Sequence, residues 1–472
     1  MNRGLALIAP KVVPVLDAAF RPAVLANRAF RKTARESGQS VPVQIALQRA
    51  SDSISRFETE ILPPGHPQAG GNFIYVERLI KFLLWSRGGG QVHFAGPADI
   101  GRQLQQYYAE SATGKFDATI MGEKIYERRF EILCSSKIPE AQESTAPLGR
   151  HLDGCRIGFD LGASDRKVAA IQDGKAVFSE EIPWDPRSHS DPQWHFDGIQ
   201  DSLKRAAAHL PRVDAIGGSS AGVYVNNKVK VASLFRGVPE ELFNARVKNI
   251  FLEIQRAWNG IPFEVVNDGE VTALAGAMSL QEDAVLGVAL GSSQAAGFVT
   301  PQGNITPWLN ELAFAPVDYN PGAPVDEWSG DYGCGVQYFS QQAVGRLVPA
   351  AKLAIPAAMA LPEKLVEVQK LMAKGDAGAA AIYQTIGVYL GYAIAHYADF
   401  YDFRHLLLLG RVTTGEGGNI LVQKAKEVLA TEFPELRVSI HMPDEKEKRH
   451  GQAMAAASLP VITTNERTSL NP

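Results

Sequence analysis

A short stretch of this chain occurs twice, and this repetition limits the folds that the chain can adopt. One copy, IGFDLGASDRKVAAIQDG, begins at Ile157, and the other, LGVALGSSQAAGFVTPQG, begins at Leu286. Each copy predicts two strands joined by a tight turn of glycine and small hydroxyl residues, followed by a second glycine turn. Aligned without a gap, the copies share these pairs of identical residues: Gly158 and Gly287, Leu161 and Leu290, Gly162 and Gly291, Ser164 and Ser293, Gly174 and Gly303.

A glycine turn of this kind offers backbone N–H groups that side chains do not cover, and two facing copies would suit a chain of phosphates. Only the first copy contains a carboxylate, Asp160, where the second has Ala289. One loop alone is therefore predicted to orient a Mg²⁺ ion. The simpler alternative is that glycine and serine recur in both copies because turns favour them.

Composition narrows the class of protein. A length of 472 residues predicts more than one domain, and 45% hydrophobic with 21% charged residues is typical of a globular protein. The net charge of −4 argues against nucleic acid as the main partner. Three cysteines without C-x-x-C spacing predict no disulfide framework and favour a reducing cytoplasm. The apolar N-terminus is interrupted by Pro10, Lys11 and Pro14, so neither a signal peptide nor a membrane span is expected.

Changes along the chain predict three regions. Residues 1–150 are expected to form an accessory N-terminal region, an extension plus a small α/β unit with a helix at Phe73–Trp85 and a strand at Gln91–Ala95. A polar segment with prolines follows this unit. Residues 151–280 and 281–472 are then predicted to be two α/β lobes that face a cleft, each beginning with one copy of the repeat.

Further helices are predicted where apolar residues recur at helical spacing. Asp99 is expected to cap a helix that runs to Tyr108. The apolar residues of Glu240–Trp258 fall on one face, which predicts a single helix that ends at Gly260. Gly451–Leu459 is predicted as the closing helix of the second lobe.

The order of these motifs resembles the superfamily of sugar kinases, heat-shock ATPases and actin, and within it the ROK family (repressors, open reading frames and kinases). The first loop, DLGASDRK, is similar to the family's DIGGTK-like loop, and GGSSAG at 217–222 is similar to its IPG segment. NDGEVTALAGAM at 267–278 resembles the NDANAAALGE signature, and LLLLGR and GQAMAAASL fit the family order. The resemblance covers about residues 155–460. It implies an α/β, two-lobed ribonuclease-H-like or actin-like ATPase (sugar kinase) fold, here with an additional N-terminal α/β region.

Asp268 is the predicted catalytic base. It ends an apolar strand and precedes a helix, whose N-terminal dipole favours an ionised carboxylate. Such a carboxylate can accept the proton of a substrate hydroxyl while the oxygen attacks a γ-phosphate, and the family position of Asp268 implies this role. The alternative from local sequence is that Asn267 and Asp268 only cap the helix.

The resemblance implies ATP and Mg²⁺ as cofactors and assigns the other site residues. Asp160 is expected to hold Mg²⁺, through water. The residues implied to bind the nucleotide are Asp160, Gly162, Ser164, Lys167, Gly291, Ser292, Ser293, Gly410, Arg411 and Gly415. Those implied to bind a sugar or sugar-like substrate are Asn267, Glu311, Ser220 and Ser233.

The chain also departs from the family pattern at three places. Phe314 stands where the family's Glu-x-Gly-His element has its histidine, so only Glu311 of that pair remains. Cys334 alone matches a three-cysteine cluster, and no zinc site is therefore predicted. Arg411 replaces the second glycine of the usual Gly-Gly pair near the nucleotide. An altered or lost sugar preference is expected.

Three functions follow from this sequence. The leading hypothesis is a cytoplasmic, glucokinase-like kinase of a sugar or sugar-like polyol, which dimerises as family members often do and has no nucleic-acid or membrane partner. A catalytically silent sensor that binds nucleotide or sugar is the alternative, motivated by Phe314 and Arg411. A transcriptional repressor is less favoured, because residues 1–150 show no three-helix DNA-binding pattern.

Overall fold

The computed structural model describes residues 4–49, 53–143, 148–162, 164–443 and 445–462, and gives only the backbone of residues 445–450. Residues 144–147, in the polar segment after the N-terminal unit, lie outside this description. Within the described chain, no helix combines the length and apolar character needed to cross a bilayer.

The N-terminal unit is a four-stranded sheet packed against helices. Its elements, in chain order, are α1 (Ala23–Glu36), β1 (Val41–Gln48), β2 (Ile54–Ile61), α2 (Asn72–Arg87), β3 (Gln91–Ala95), α3 (Ala98–Glu110), α4 (Ala112–Ala118) and β4 (Glu131–Cys134). The strand order is β2-β1-β3-β4, with β1 antiparallel to both neighbours and β3 parallel to β4. Val43, Ile45 and Leu47 on one face of β1 are buried in the core, and Ala46 on the other face is buried in a smaller cluster with Ile54 and Ile138.

The first lobe begins at the first copy of the repeat. Its elements are β5 (Cys155–Leu161), β6 (Asp165–Gln172), β7 (Lys175–Pro183), α5 (Pro192–Ala207), β8 (Ala215–Ser220), β9 (Val223–Val225), β10 (Lys228–Val231), α6 (Glu240–Ala245), α7 (Ile250–Ala257), β11 (Phe263–Asn267) and α8 (Asp268–Leu280). The main sheet has the order β11-β8-β5-β6-β7. β5, β6 and β7 form an antiparallel meander, and β8 and β11 extend the sheet in parallel on the other side of β5. β9 and β10 form a separate hairpin.

The second lobe repeats this plan with a smaller sheet. Its elements are β12 (Val285–Leu290), β13 (Gln294–Val299), α9 (Gln341–Leu347), α10 (Leu361–Ala373), α11 (Ala377–Ala398), β14 (His405–Leu409), α12 (Glu416–Glu432), β15 (Ser439–His441) and α13 (Glu445–Ala457). The order is β13-β12-β14-β15, with β14 and β15 parallel to β12. In place of a third meander strand, the second lobe has a single bridge between Val299 and Ile305.

The lobes exchange helices, and the repeated glycine at their first strands makes this possible. α8 follows the first-lobe strands but packs on β12 and β13, whereas α13 packs on β5, β6 and β8. A Cβ atom at Gly158 would lie 1.8 Å from the carbonyl oxygen of Ala453 in α13, and one at Gly287 would lie 3.0 Å from Cβ of Ala273 in α8. Glycine therefore lets a helix approach each sheet closely. The closing helix predicted for the second lobe covers the sheet of the first.

The N-terminal unit and the second lobe share one hydrophobic core. Helix α2 is buried along almost its entire length, which its apolar residues on all sides permit. Phe82 of α2 stacks on Phe400 with ring centroids 4.1 Å apart, and Trp85 stacks on Phe314 at 4.2 Å. The N-terminal unit therefore covers an apolar surface that the second lobe would otherwise expose.

A cluster of buried charges lies at the same junction. Lys81 Nζ is 3.0 Å from Asp117 Oδ2 and 3.0 Å from Asp331 Oδ2. Arg78 is 3.0 Å from Asp331 and 2.6 Å from Glu77. Because a buried charge that loses its partner is strongly destabilising, each member depends on the others. The cluster fixes the second-lobe segment around Asp331 against α2 and α4.

The two repeated turns differ in length by one residue. Leu161 pairs with Arg166 across the first turn, whereas Leu290 pairs with Gln294 across the second. The first turn therefore contains four residues and the second three. The gap-free alignment of the sequence is correct as far as the first glycine of each turn and wrong after it, so the serines that it matches are not structurally equivalent.

Two helix predictions are also corrected. The segment Glu240–Trp258 is not one helix: the backbone of Arg246 (φ −125°, ψ −49°) leaves the helical region, and a 3₁₀ turn at Val247–Asn249 separates α6 from α7. Asp99 does not cap α3, because Pro97 occupies the N-cap position and Asp99 lies in the first turn. There its negative charge still suits the helix dipole.

Candidate active site

Asp160 lies near the end of β5, and its carboxylate is held from two sides. The parallel strand β8 places Ser219 beside it, and Ser219 Oγ donates a hydrogen bond to Asp160 Oδ1 at 2.6 Å. Lys167 Nζ lies 3.4 Å from Asp160 Oδ2 and 3.1 Å from Asp165 Oδ1. Burial lowers the pKa of Lys167, but the two carboxylates outweigh burial and leave this pKa raised. The structure thus brings the predicted residues Asp160 and Lys167 together.

The N–H groups of the first glycine in each turn, Gly162 and Gly291, donate hydrogen bonds within the turn itself. The N–H of Gly162 donates to the carbonyl of Asp165 at 2.9 Å, and the N–H of Gly291 donates to the carbonyl of Ser293 at 2.9 Å. These two groups are therefore committed within their turns, contrary to the expectation that glycine N–H groups stay free for phosphate. The exposed hydroxyl groups of the turns belong to Ser164, Ser292 and Ser293.

Asn267 and Asp268 make different hydrogen bonds at the start of α8. Asn267 is the N-cap: its Oδ1 accepts a hydrogen bond from the N–H of Gly269 at 2.7 Å, and its Nδ2 donates to the carbonyl of Gly222 at 2.7 Å. The capping alternative therefore holds for Asn267, which was predicted to bind substrate. Asp268 accepts a longer bond from the N–H of Gly269, at 3.1 Å.

The carboxyl group of Asp268 has an altered acidity. Burial, and then the charge of Asp160, raise the pKa of Asp268 to about 6. Burial, and then the charge of Asp268, raise the pKa of Glu311 to about 7. Asp268, the predicted base, is thus close enough to Asp160 to be affected by its charge, and close enough to Glu311 to affect it in turn. A carboxylate that titrates near neutral pH is suited to general-base chemistry.

Asp268 also borders the second hairpin. It lines a cavity of about 260 Å³ together with Ala289, the counterpart of Asp160 in the repeat, and Gly410. Gly410 has φ +96°, and a Cβ atom there would lie 2.4 Å from the carbonyl oxygen of Leu290, so the position requires glycine. Asp268 is therefore placed between Asp160 of one hairpin and Ala289 of the other, with Gly410 beside the second turn.

No family model matches this chain, and no curated protein matches it significantly. Solved structures do match. The ROK hexokinase from Thermus thermophilus superposes with a TM-score of 0.51 at 17% sequence identity, over 64% of this chain and 97% of the hexokinase. The chain has the ROK fold. A ROK family transcriptional regulator, described as a homologue of the E. coli MLC protein, superposes with a TM-score of 0.51 at 19% identity, over 65% of this chain and 79% of the regulator.

Four of the predicted site residues lie outside the group formed by Asp160, Lys167, Asp268 and Glu311. They are Ser220, Ser233, Arg411 and Gly415. Ser220 is fully buried, and its Oγ accepts a hydrogen bond from Tyr224 Oη at 2.7 Å. Ser233 begins a 3₁₀ turn and lines neither the cavity of Asp268 nor a larger cavity that Glu270 lines. Arg411 and Gly415 lie beyond Gly410 in the connection to α12, where Gln369 Nε2 donates to the carbonyl of Arg411 at 2.8 Å.

Ser219, which holds Asp160, was not among the site residues predicted from sequence. The motif GGSSAG contained this residue, but only the register between β5 and β8 identifies it, since that register sets Ser219 opposite Asp160. Ser220, one residue later, points to the other face of the strand. A prediction from the motif alone had no means of choosing between the two serines.

The residues around Asp160 fit a magnesium ion. Asp160 and Asp268 are close enough for the charge of one to raise the pKa of the other, and a divalent cation would offset that repulsion. Mg²⁺ is commonly held by one or two carboxylates, with water and phosphate oxygens as its other ligands. In the described part of the chain, no set of three or more His, Cys, Asp and Glu side chains is arranged for a metal ion.

Phe314 and Cys334, two positions at which the chain departs from the family motifs, are packed against other residues in this ROK fold. Phe314 stacks on Trp85 of the N-terminal unit, and Phe116 lies beside both rings. Cys334 is buried, and this burial raises the pKa of its thiol to about 12. Phe314 therefore joins the second lobe to the N-terminal unit by apolar contacts, whereas Cys334 packs within the second lobe beside Ala313 and Val336.

Proposed function

We propose that this chain is a ROK-type kinase that transfers the γ-phosphoryl group of ATP, with Mg²⁺, to a hydroxyl group of a sugar or sugar-like substrate. The observation that carries the proposal is the position of Asp268, beside Asp160 of the first hairpin and Ala289 of the second. With a pKa of about 6, its carboxyl group is mostly ionised at neutral pH. An ionised carboxylate in that place can accept the proton of an attacking hydroxyl.

The neighbouring residues supply the rest of the reaction. Glu311, close to Asp268, would orient the substrate hydroxyl, and Lys167 with the exposed serine hydroxyls would bind phosphate oxygens. Mg²⁺ held at Asp160 would neutralise phosphate charge. Phosphoryl transfer requires mainly positioning and charge neutralisation, so one base and these groups suffice chemically. The fold shared with the Thermus thermophilus ROK hexokinase supports the proposal.

A silent sensor is the second candidate, and one observation favours it. Phe314 packs against Trp85 with ring centroids 4.2 Å apart, so an apolar contact replaces the polar group that the family motif has at this position. A protein that lost a substrate-binding side chain could still bind nucleotide. Such a sensor would use the same cavity but would not form ADP.

Calorimetric titration with ATP and Mg²⁺, followed by an ADP-release assay over a panel of sugars, separates these functions. We expect ATP binding and ADP formation that depends on one of the sugars. Nucleotide binding without ADP formation for any sugar would establish the sensor instead. Salt-dependent binding to DNA fragments, measured on the same protein, would support the ROK regulator function.

A further inference from the structure

A second and larger cavity, of about 580 Å³, lies on the other side of the start of α8. Asp268 lines the smaller cavity and Glu270 lines this one, because residues two apart point to nearly opposite sides of a helix. The volume falls within the range of about 300–1,000 Å³ that is typical of small-molecule sites. Asn267, the residue before Asp268, also lines this cavity.

The walls of this cavity come from three parts of the chain. The first lobe contributes the β9–β10 hairpin, including Tyr224, and the strand β11. The second lobe contributes residues 305–309. The N-terminal unit closes the remaining side with Arg49, Ser53 and Tyr126. A region that the sequence analysis treated as accessory therefore completes a cavity next to the candidate active site.

Each of these parts leaves a buried polar atom without a hydrogen-bond partner among the described residues. The atoms are Arg49 Nε, Glu270 Oε2 and Thr306 Oγ1, on side chains of residues that are 3%, 5% and 6% exposed. Buried polar groups in folded proteins nearly always have hydrogen-bond partners, because an unpaired one has lost its bonds to water and destabilises the fold. Three such atoms at one cavity indicate that a polar ligand satisfies them.

The charges around the cavity do not favour an anionic ligand. Arg49 Nη2 already pairs with Glu143 at 2.6 Å, so the guanidinium charge is balanced. Burial raises the pKa of Glu270 to about 8, so its carboxyl group is mostly neutral at pH 7, with Asn310 Nδ2 donating to Oε1 at 2.6 Å. Burial also raises the pKa of Glu264, another lining residue. An anion would find no unbalanced positive charge among the lining residues, because Arg49 already pairs with Glu143.

We propose that this cavity holds the non-reacting part of an uncharged, polyhydroxylated substrate, and that the N-terminal unit thereby helps to select that substrate. The proposal deepens the kinase function and rests on it, since Asn267, which lines this cavity, directly precedes Asp268 in the chain. A hydroxyl group both donates and accepts hydrogen bonds, so it matches the donor Arg49 Nε as well as the hydroxyl of Thr306. Sugar acids and sugar phosphates would bring a charge close to Glu264 and Glu270.

The test is calorimetric titration without nucleotide. The probes are neutral glucose, N-acetylglucosamine, maltose and sorbitol, and charged gluconate, glucuronate and glucose 6-phosphate. We expect at least one neutral probe to bind, with affinity about tenfold weaker in Arg49→Met and in Thr306→Val, since each loses one hydrogen bond. Arg56→Met is the matched control: Arg56 lies on the neighbouring strand β2, pairs with Glu58 and Glu140, and does not line the cavity.

Melting temperatures of all variants accompany the titrations. Valine has nearly the same shape as threonine, so Thr306→Val removes mainly the hydroxyl group. If Arg49→Met lowers the melting temperature, the binding affinity of Thr306→Val alone decides the test. The proposal is overturned if no neutral probe binds, if a charged probe binds more tightly, or if both cavity variants bind like the wild type. ADP release is assayed separately: sugar binding that depends on Thr306 without ADP formation would refute only the kinase function, whereas ADP formation with an unchanged KM in Thr306→Val would refute only this inference.

Discussion

Asp268 and Glu270 are separated by one residue, yet the protein gives their carboxyl groups different properties. Burial and the charge of Asp160 raise the pKa of Asp268 to about 6, which leaves it mostly ionised at neutral pH. Burial raises the pKa of Glu270 to about 8, and Asn310 donates a hydrogen bond to it. The first group can therefore act as a base, whereas the second acts as a neutral polar group.

The pH dependence of activity should report the ionisation of Asp268. Because its pKa is raised to about 6, we expect kcat/KM for the sugar to fall as the pH decreases below this value and to level off above it. The decrease should approach about tenfold per pH unit. Initial rates over a pH series, with the fold monitored by circular dichroism, provide the measurement. A profile that is flat down to about pH 4 would show that another group is the base.

The pH dependence of stability should report Glu270. Its pKa in the folded protein is about 8, above the ordinary value of 4.5, so the protonated group contributes stability that is lost as the pH rises through 8. We expect Glu270→Gln to reduce, by up to a few kcal/mol, the loss of unfolding free energy between about pH 5 and pH 9. Urea denaturation at both pH values measures it, with the exposed Glu363→Gln as the control. Equal losses in both variants and the wild type would contradict this assignment.

At the scale of secondary-structure elements, the helix exchange between lobes depends on glycine in β5 and β12. A methyl group at position 158 would lie 1.8 Å from a carbonyl oxygen of α13, so Gly158→Ala must displace that helix. We expect a loss of about 1–3 kcal/mol or more in unfolding free energy, as for other overpacked sites. Gly322→Ala, whose nearest neighbouring atom would be 3.6 Å away, is the control. Equal stabilities in chemical denaturation would contradict the close packing.

The strands and helices that could be predicted from sequence are those set by patterns of neighbouring residues. The strands of both hairpins and the strand His405–Leu409 follow from apolar runs and glycine turns, which act over a few residues. The one-residue difference between the two turns could not be predicted, because it depends on which residues pair across the strands. The position of α13 depends on the surface offered by Gly158, far away in the chain, so its helical pattern alone did not assign it to a lobe.

At the scale of the whole molecule, the N-terminal unit is joined to the second lobe by a common core and by the buried charges around Lys81. The apolar pattern of α2 predicted a helix, but it did not reveal what surface would bury it. The same limit applies to the site. Asp160, Asp268 and Gly410 could be identified from motifs, whereas the part that Arg49 plays in the larger cavity depends on contacts between distant segments.

Removing the positive charge at the junction should destabilise the whole chain. Lys81→Met would leave Asp117 and Asp331 buried without this partner, and we expect a loss of about 3–5 kcal/mol in unfolding free energy. Lys370→Met is the control, since Lys370 forms an exposed pair with Glu367 and should contribute less than about 1 kcal/mol. Thermal or urea denaturation measures both. A Lys81→Met protein as stable as the wild type would show that the cluster does not hold the junction together.

Asp268, close to both repeated hairpins, is the proposed base of the phosphoryl transfer. Sugar-dependent ADP release by Asp268→Asn is measured beside the wild type and Asp165→Asn, a control in the first turn whose carboxylate lies 3.1 Å from Lys167 Nζ. We predict that Asp268→Asn binds ATP like the wild type but forms ADP at least about 100-fold more slowly, whereas Asp165→Asn loses less activity. ADP release by Asp268→Asn at the wild-type rate would contradict the claim.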